Sequence, residues 1–434
     1  MGTWESRHWT SHVGSGVPRR ERAFGGYRAY LPHSLADTAL TVSPHLSQRI
    51  AQAEAAVRRL DRRGATGLAS LSRFLLRSEA IASSRIEGLA PNAKNVALAE
   101  LGQTEAVAGL NETAVLVANN MTAVRDASER IATASTITVD HLVTLQRSLL
   151  SDSPRLHGLR SAQNWVGGSQ HHPLDADFVP PAPEHVEILM NDLVEYINGG
   201  AHSPIVQAAL VHAQFETIHP FADGNGRVGR AVIHTVLTRR GLTTDSILPV
   251  SLVLATFRDH YIDGLTAYRA EGPPDSPEVT AGREDWIGIF TEAVFQAAAR
   301  AHDLADDIDA LREEWTRLLA DHRTQEGRKR ALRSDSAVTV ILDELPGTPV
   351  LTPTTVTRIH SVSPQAASAG LEALRAAGVL DTASIGKGRR AYVSTDLLNL
   401  ISVAERRLAS TRFDTRLSPP NRPVPARPTD PGSR

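Results

Sequence analysis

Hydrophobic positions recur at helical spacing along most of the chain. Between Ser43 and Glu100, AQAEAAVRRLDRR is followed by LASLSRFLLRSEAIASSRIEGL, in which Leu68, Leu71, Phe74, Leu75, Ser78, Ile81 and Ala82 share one face. Helix is also expected over 105–132 and 138–150. The texture changes from His157 to Pro183. There, short Trp/Val and Phe/Val pieces flank a turn rich in Gly and His, and a double proline closes it, so an irregular hairpin is expected. Helices resume at Glu184. Ser203-Pro204 starts one that runs to Ile218, and another runs from Asn225 to Arg239-Arg240-Gly241, where cations and a glycine mark its end. Ser251 is placed to cap a further helix with Leu254, Phe257, Tyr261, Leu265 and Tyr268 on one face.

From Phe290 to Leu318 the apolar positions alternate in steps of four and three, a heptad pattern. It fits one long helix lying on its own domain, and it also fits a homodimer seam. Beyond it, helix-length segments at Ala337–Leu345, Thr352–His360 and Pro364–Ala377 precede VLDTASIGKGRRAYVS, which reads as two strands around a turn. That order is the order of a winged helix-turn-helix. Residues 1–25 look irregular, and the tail 417–434, LSPPNRPVPARPTDPGSR, is expected to be disordered.

Composition narrows the function classes. With 41% hydrophobic and 22% charged residues in 434, the chain reads as ordinary soluble protein of two or three domains. A net charge of −2 provides no overall basic field for nucleic acid. The absence of cysteine excludes disulfides, thiolate zinc sites and cysteine nucleophiles. No signal-peptide pattern or apolar membrane span is apparent, so no membrane association is expected and the cytoplasm is the expected location.

The densest chemistry lies in His219–Arg230, HPFADGNGRVGR. Gly224-Asn225-Gly226 stands where a loop gives way to a helix, so its N–H groups and the helix N-terminus form an anion site. Arg227 and Arg230 project from the first turn toward further phosphate oxygens. Asp223 suits magnesium, which takes oxygen ligands and bridges phosphates. His219 has the near-neutral pKa of a general base. Gly224-x-Gly226-x-x-Gly229 formally matches a dinucleotide fingerprint, but that motif needs a preceding strand, and here a helix is expected. A metal site from His212 and His219 with His171, His172 or His202 lacks ligand spacing.

This stretch resembles the Fic family signature HPFx(D/E)GNGRxxR at every position. HAQFETIHPF, NWVG, FVPP, LRSEAIASSRIEG and the C-terminal winged helix resemble the larger bacterial members, over roughly residues 25–395. The resemblance implies a mainly α fold: a Fic helical core with a β-hairpin flap, plus a C-terminal winged helix-turn-helix. Its divisions are an irregular N-terminus (1–25), a helical region with an inhibitory helix (26–135), the catalytic core (136–283), a linking helix (284–333), the winged helix (334–400) and the tail. It implies transfer of AMP from ATP, with Mg2+, to a Ser, Thr or Tyr hydroxyl of a protein. His219 would be the base, Phe221 a loop anchor and Asp223 the metal ligand. Gly224, Asn225 and Gly226 would cradle the phosphates, with Arg227 and Arg230 on the distal ones. Tyr261 would line the adenine pocket, although an aromatic at helical spacing also serves a core.

Ser83-Ser84-Arg85-Ile86-Glu87-Gly88 resembles the family's inhibitory motif, (S/T)xxxE(G/N). Ser83 and Glu87, four apart, share a helical face. The resemblance implies that Glu87 pairs with Arg230 where the ATP γ-phosphate belongs; a solvated carboxylate is the plainer account. Asn164-Trp165-Val166 and Phe178-Val179-Pro180 resemble the flap that docks target backbone by strand addition, or else close the core. The protein target is open, and self-modification is one option. Arg358, Arg375, Lys387, Arg389 and Arg390 leave DNA binding through the winged helix open beside a protein-contact role. The competing function is a nucleotide-sensing, DNA-binding transcriptional regulator.

Overall fold

The computed structural model describes residues 2–11, 16–36, 40–61, 68–244, 247–328, 332–333, 336–386 and 388–411. The chain is mainly helical. Strands β1 (Thr3–Trp9) and β2 (Gly25–Leu31) pair antiparallel, Thr3 facing Leu31 and Trp9 facing Gly25. There follow α1 (Pro44–Asp61), α2 (Leu68–Ile86), α3 (Ala93–Gly102), α4 (Glu112–Asp126) and α5 (Val139–Leu149). Next come α6 (Pro183–Asn198), α7 (Pro204–Ile218), α8 (Asn225–Arg239), α9 (Val250–Thr256), α10 (Arg258–Tyr268) and α11 (Pro277–Gln325). The C-terminal unit holds α12 (Ala337–Glu344), β3 (Val350–Leu351), α13 (Pro353–His360), α14 (Pro364–Ala376), β4 (Asp381–Gly386), β5 (Arg389–Val393) and α15 (Thr395–Thr411). Its antiparallel sheet has the order β3-β5-β4.

The centre of the molecule is α7, buried from Ile205 to Ile218. A helix buried all round must satisfy its polar side chains internally. Gln207 donates to the carbonyls of Tyr196 and Gly199, Gln214 donates to the His33 carbonyl, and His212 pairs with the Tyr261 hydroxyl. Helix α8 packs beside α7. Trp286 of α11, fully buried, donates its indole N–H to the Ala209 carbonyl of α7 at 2.7 Å. The heptad face of α11, from Phe290 through Ala301 and Ile308 to Trp315, is buried within the chain, as one long helix lying on its own domain requires. Among the described residues no helix is long and apolar enough to cross a membrane.

Several expectations need correction. Residues 3–9, read as irregular, form β1, because their partner β2 lies at a sequence distance that local patterning does not register. The helix expected over 105–132 is α4 alone, followed by one wide turn at 127–131. It starts late because Asn111 caps it by accepting the Ala114 N–H at 2.9 Å. Ser251 is not a cap. It lies inside α9, and the helix expected to continue from it breaks at Phe257 into α9 and α10. The linking helix starts at Pro277 and ends at Gln325. The tail 417–434 and Lys387 lie outside the described residues.

Candidate active site

The site is built where α7 stops and α8 begins. His219 caps α7 in the left-handed region, φ 49° and ψ 59°, which few residues without glycine's freedom adopt. The loop is pinned on all sides. Arg160 Nε donates to the His219 carbonyl at 2.9 Å, and its Nη2 donates to the Pro181 and Ile218 carbonyls. Asn164 Nδ2 donates to the carbonyls of His219 and Phe221. Asn225 closes a two-way pair, accepting the Phe221 N–H and donating to its carbonyl, both at 2.8 Å. Phe221 is fully buried against Phe215. Asn225 is thus a loop brace. Only its backbone remains for a phosphate.

Gly224, φ 85°, opens α8 and turns the first N–H groups outward. Asp223 is half-exposed beside them, 3.7 Å from Arg227 Nη2, with Oδ1 accepting the Gly224 N–H. Arg227 is buried, and its Nε and Nη1 have no hydrogen-bond partner among the described residues. Buried guanidinium donors without partners are costly, which marks a place where an anion fits.

Helix α2 brings its C-terminal end onto this N-terminus. Arg230, 1% exposed, donates from Nε to Ser83 Oγ and from Nη2 to the Ser83 carbonyl, each at 2.9 Å. Its Nη2 also donates to Glu87 Oε1 at 2.7 Å. Glu87 lies directly over the glycine turn, since a methyl group added at Gly226 would come within 2.0 Å of Glu87 Oε1. Burial pushes the Glu87 carboxyl up, but Arg230 outweighs it and holds the group below its ordinary value. Burial likewise works against the charge of Arg230, and Glu87 reverses that, raising its pKa.

His219 is partly buried, and burial, helped by Arg269, depresses its pKa to about 4. The imidazole is therefore neutral over the ordinary pH range and able to take a proton. Glu216 lies 3.8 Å from His219 Nδ1, and burial lifts its pKa to about 7.

Sequence reasoning missed the residues that hold α2 in place. Glu79, fully buried, contacts His234 of α8 at 3.1 Å and accepts the Ser251 N–H of α9 at 2.8 Å. Asn120 of α4 donates to the Ala80 carbonyl and to Ser84 Oγ. Glu79, Ser83 and Glu87 are four apart, so a polar stripe at helical spacing was the available signal.

Tyr261 is 4% exposed and packs against His212 and Trp286 behind Arg230, offering no surface to a ligand. That is the core role an aromatic at helical spacing serves. The segment 157–183 forms one internal bridge, Val166 with Phe178, and a second from Leu159 to Phe221. Its aromatics face inward: Trp165 meets Trp9 edge-on, and Phe178 lies against Trp4 and under Arg269. Val166 itself is 40% exposed. In the C-terminal unit, Arg389 reaches Glu105 and the Ala106 carbonyl, while Arg375 and Arg390 both pair with Glu372. Arg358 lies on α13, away from the glycine turn.

The Fic/DOC family model matches residues 136–237. The protein adenylyltransferase fic-1 of Caenorhabditis briggsae is 30% identical over 130 residues, 29% of this chain and 23% of the relative. The protein adenylyltransferase Fic of Nematostella vectensis is 32% identical over 137 residues, 31% of this chain and 29% of the relative. The chain spans less than a third of the length of these curated relatives. A solved Fic family protein from Desulfovibrio desulfuricans G20 is 19% identical, with a TM-score of 0.49 over 83% of this chain and 98% of that one.

Proposed function

Residues 136–237 of this chain are a Fic domain, and from that premise we propose a self-inhibited protein adenylyltransferase. It transfers AMP from ATP to a Ser, Thr or Tyr hydroxyl of a target protein or of the chain itself. The observation that carries the reading is the pair of unpartnered, buried Arg227 donors beside the α8 N-terminus, with a neutral His219 on the same loop.

The N–H groups of Asn225 and Gly226 at the start of α8 hold the phosphates, and Arg227 neutralises them. Asp223 would hold magnesium. It is an exposed carboxylate next to the phosphate cradle, and among the described residues no cluster of three His, Asp or Glu exists to cage the ion. One carboxylate plus phosphate oxygens and water suits magnesium's usual habit. The ion would neutralise charge on the phosphates. His219 takes the proton of the target hydroxyl as its oxygen bonds to the α-phosphorus. The bond from that phosphorus to the β-phosphate oxygen breaks, and pyrophosphate leaves. Positioning and charge stabilisation supply the acceleration.

Glu87 is the brake. Its carboxylate occupies Arg230 and the space above Gly226, where a distal phosphate would otherwise lie. A triphosphate displaced by it presents the α-phosphorus out of line.

The test is incubation with magnesium and ATP labelled at either the α- or the γ-phosphate. Label from the α-position should enter protein and label from the γ-position should not, and His219→Ala should abolish incorporation. Transfer of γ-label would overturn the reading.

A further inference from the structure

A cleft of 1170 Å³ opens between α2, α3, α4 and the docked C-terminal unit, and it shares no lining residue with the site around His219. Its volume exceeds the roughly 300–1,000 Å³ of ordinary small-molecule pockets, so a ligand would occupy part of it. Three arginines line it from three separate elements: Arg73 on α2, Arg125 in the last turn of α4 and Arg358 in the last turn of α13. None of the three has an ion-pair or hydrogen-bond partner among the described residues. The acidic lining residue Glu100 does not neutralise them, because it is spent on the buried Arg77 at 2.7 Å. Glu129 leaves the cleft with a surplus of positive charge. Hydroxyl side chains line the same cleft, among them Ser72, Thr104, Thr122 and Thr355.

Exposed guanidinium groups without partners, lining one concave site together with hydroxyls, are suited to phosphate oxygens. A nucleic-acid duplex would need a basic stripe that continues beyond the cleft. The outward arginines of the β4–β5 hairpin are already engaged, Arg389 by Glu105 and Arg390 by Glu372. We propose that this cleft is a second ligand site, for a small molecule carrying adjacent phosphate groups, bridged by Arg73, Arg125 and Arg358. The site exists only while the C-terminal unit is docked, since α13 supplies one wall. Arg77 helps hold that docking by donating to the Gly347 carbonyl at 3.1 Å. A ligand bound there ties α2, the helix that carries Ser83 and leads into Glu87, to the C-terminal unit.

The test is titration of the full chain with inorganic pyrophosphate by calorimetry, without ATP or turnover, so it stands apart from the proposed activity. The doubly substituted chain Arg125→Gln, Arg358→Gln is the comparison; both positions are exposed, and an unchanged melting temperature without ligand confirms that it folds. Wild type should bind at millimolar pyrophosphate or below and melt at higher temperature with it. The double variant should bind at least tenfold more weakly and lose the thermal shift. Absence of binding to wild type overturns the proposal. So does equal binding by the variant, which would assign the anion to another site, the α8 N-terminus included.

Discussion

Glu87 Oε1 lies 2.7 Å from Nη2 of Arg230, and the same oxygen blocks the space above Gly226. One carboxylate thus satisfies a buried guanidinium and fills the anion cradle at the start of α8. The guanidinium is nearly inaccessible, while the carboxylate side chain is 38% exposed. The asymmetry suits a brake, because Arg230 stays fixed by Ser83 whether or not Glu87 is present.

Gly226 bears on this directly. A methyl at that position meets Glu87 Oε1 at 2.0 Å and Arg230 Nη1 at 2.8 Å, so Gly226→Ala should dislodge Glu87 without opening the site. In a Glu87→Gly background, Gly226→Ala should still cut AMP incorporation at least tenfold, about 1.4 kcal/mol, because the methyl stands in the phosphate's place. Undiminished labelling of the double variant would show that phosphate does not use this turn.

The depressed His219 pKa fixes a pH dependence. An imidazole at about 4 is neutral at every pH above that value, whereas an ordinary one begins to protonate near 6.5. AMP incorporation by Glu87→Gly should therefore show no acid limb around pH 6.5 and should fall only as the pH approaches about 4. Rates measured across pH 5–8 check this, and a limb centred near 6.5 would contradict it.

Glu79 should matter for stability. Its carboxylate is fully buried and shared between His234 and Ser251. Glu79→Ala leaves those groups unpaired in the core, and breaking such a buried pair costs about 3–5 kcal/mol. Urea unfolding of the variant should show that loss. A change within about 0.5 kcal/mol, the level of an ordinary surface substitution, would mean that α2 is held by its apolar face alone.

These predictions divide along the line between local and long-range information. Helices α12, α13 and α14 were legible because Ser336, Thr352 and Ser363 cap them within the sequence window, each accepting an N–H three residues on, whereas α15 was not expected. The gathering of His219, the glycine turn, Arg227 and Arg230 at the start of α8 was legible because these residues are contiguous. Strand β1 was not, because its partner is β2 and its end bridges to Gly272. Nor was the role of Glu79, whose partners lie on α8 and α9. Asn225 was legible only in part: the sequence pointed to its N–H at the start of α8, while the bracing of Phe221 by its side chain is a contact only the folded loop shows.

The most direct test of a self-inhibited adenylyltransferase compares incorporation of α-phosphate label by wild type, Glu87→Gly and Glu87→Gly with His219→Ala. Glu87→Gly should label itself or a target at least tenfold more than wild type, and the added His219→Ala should return labelling to background. Equal labelling of wild type and Glu87→Gly would contradict the account.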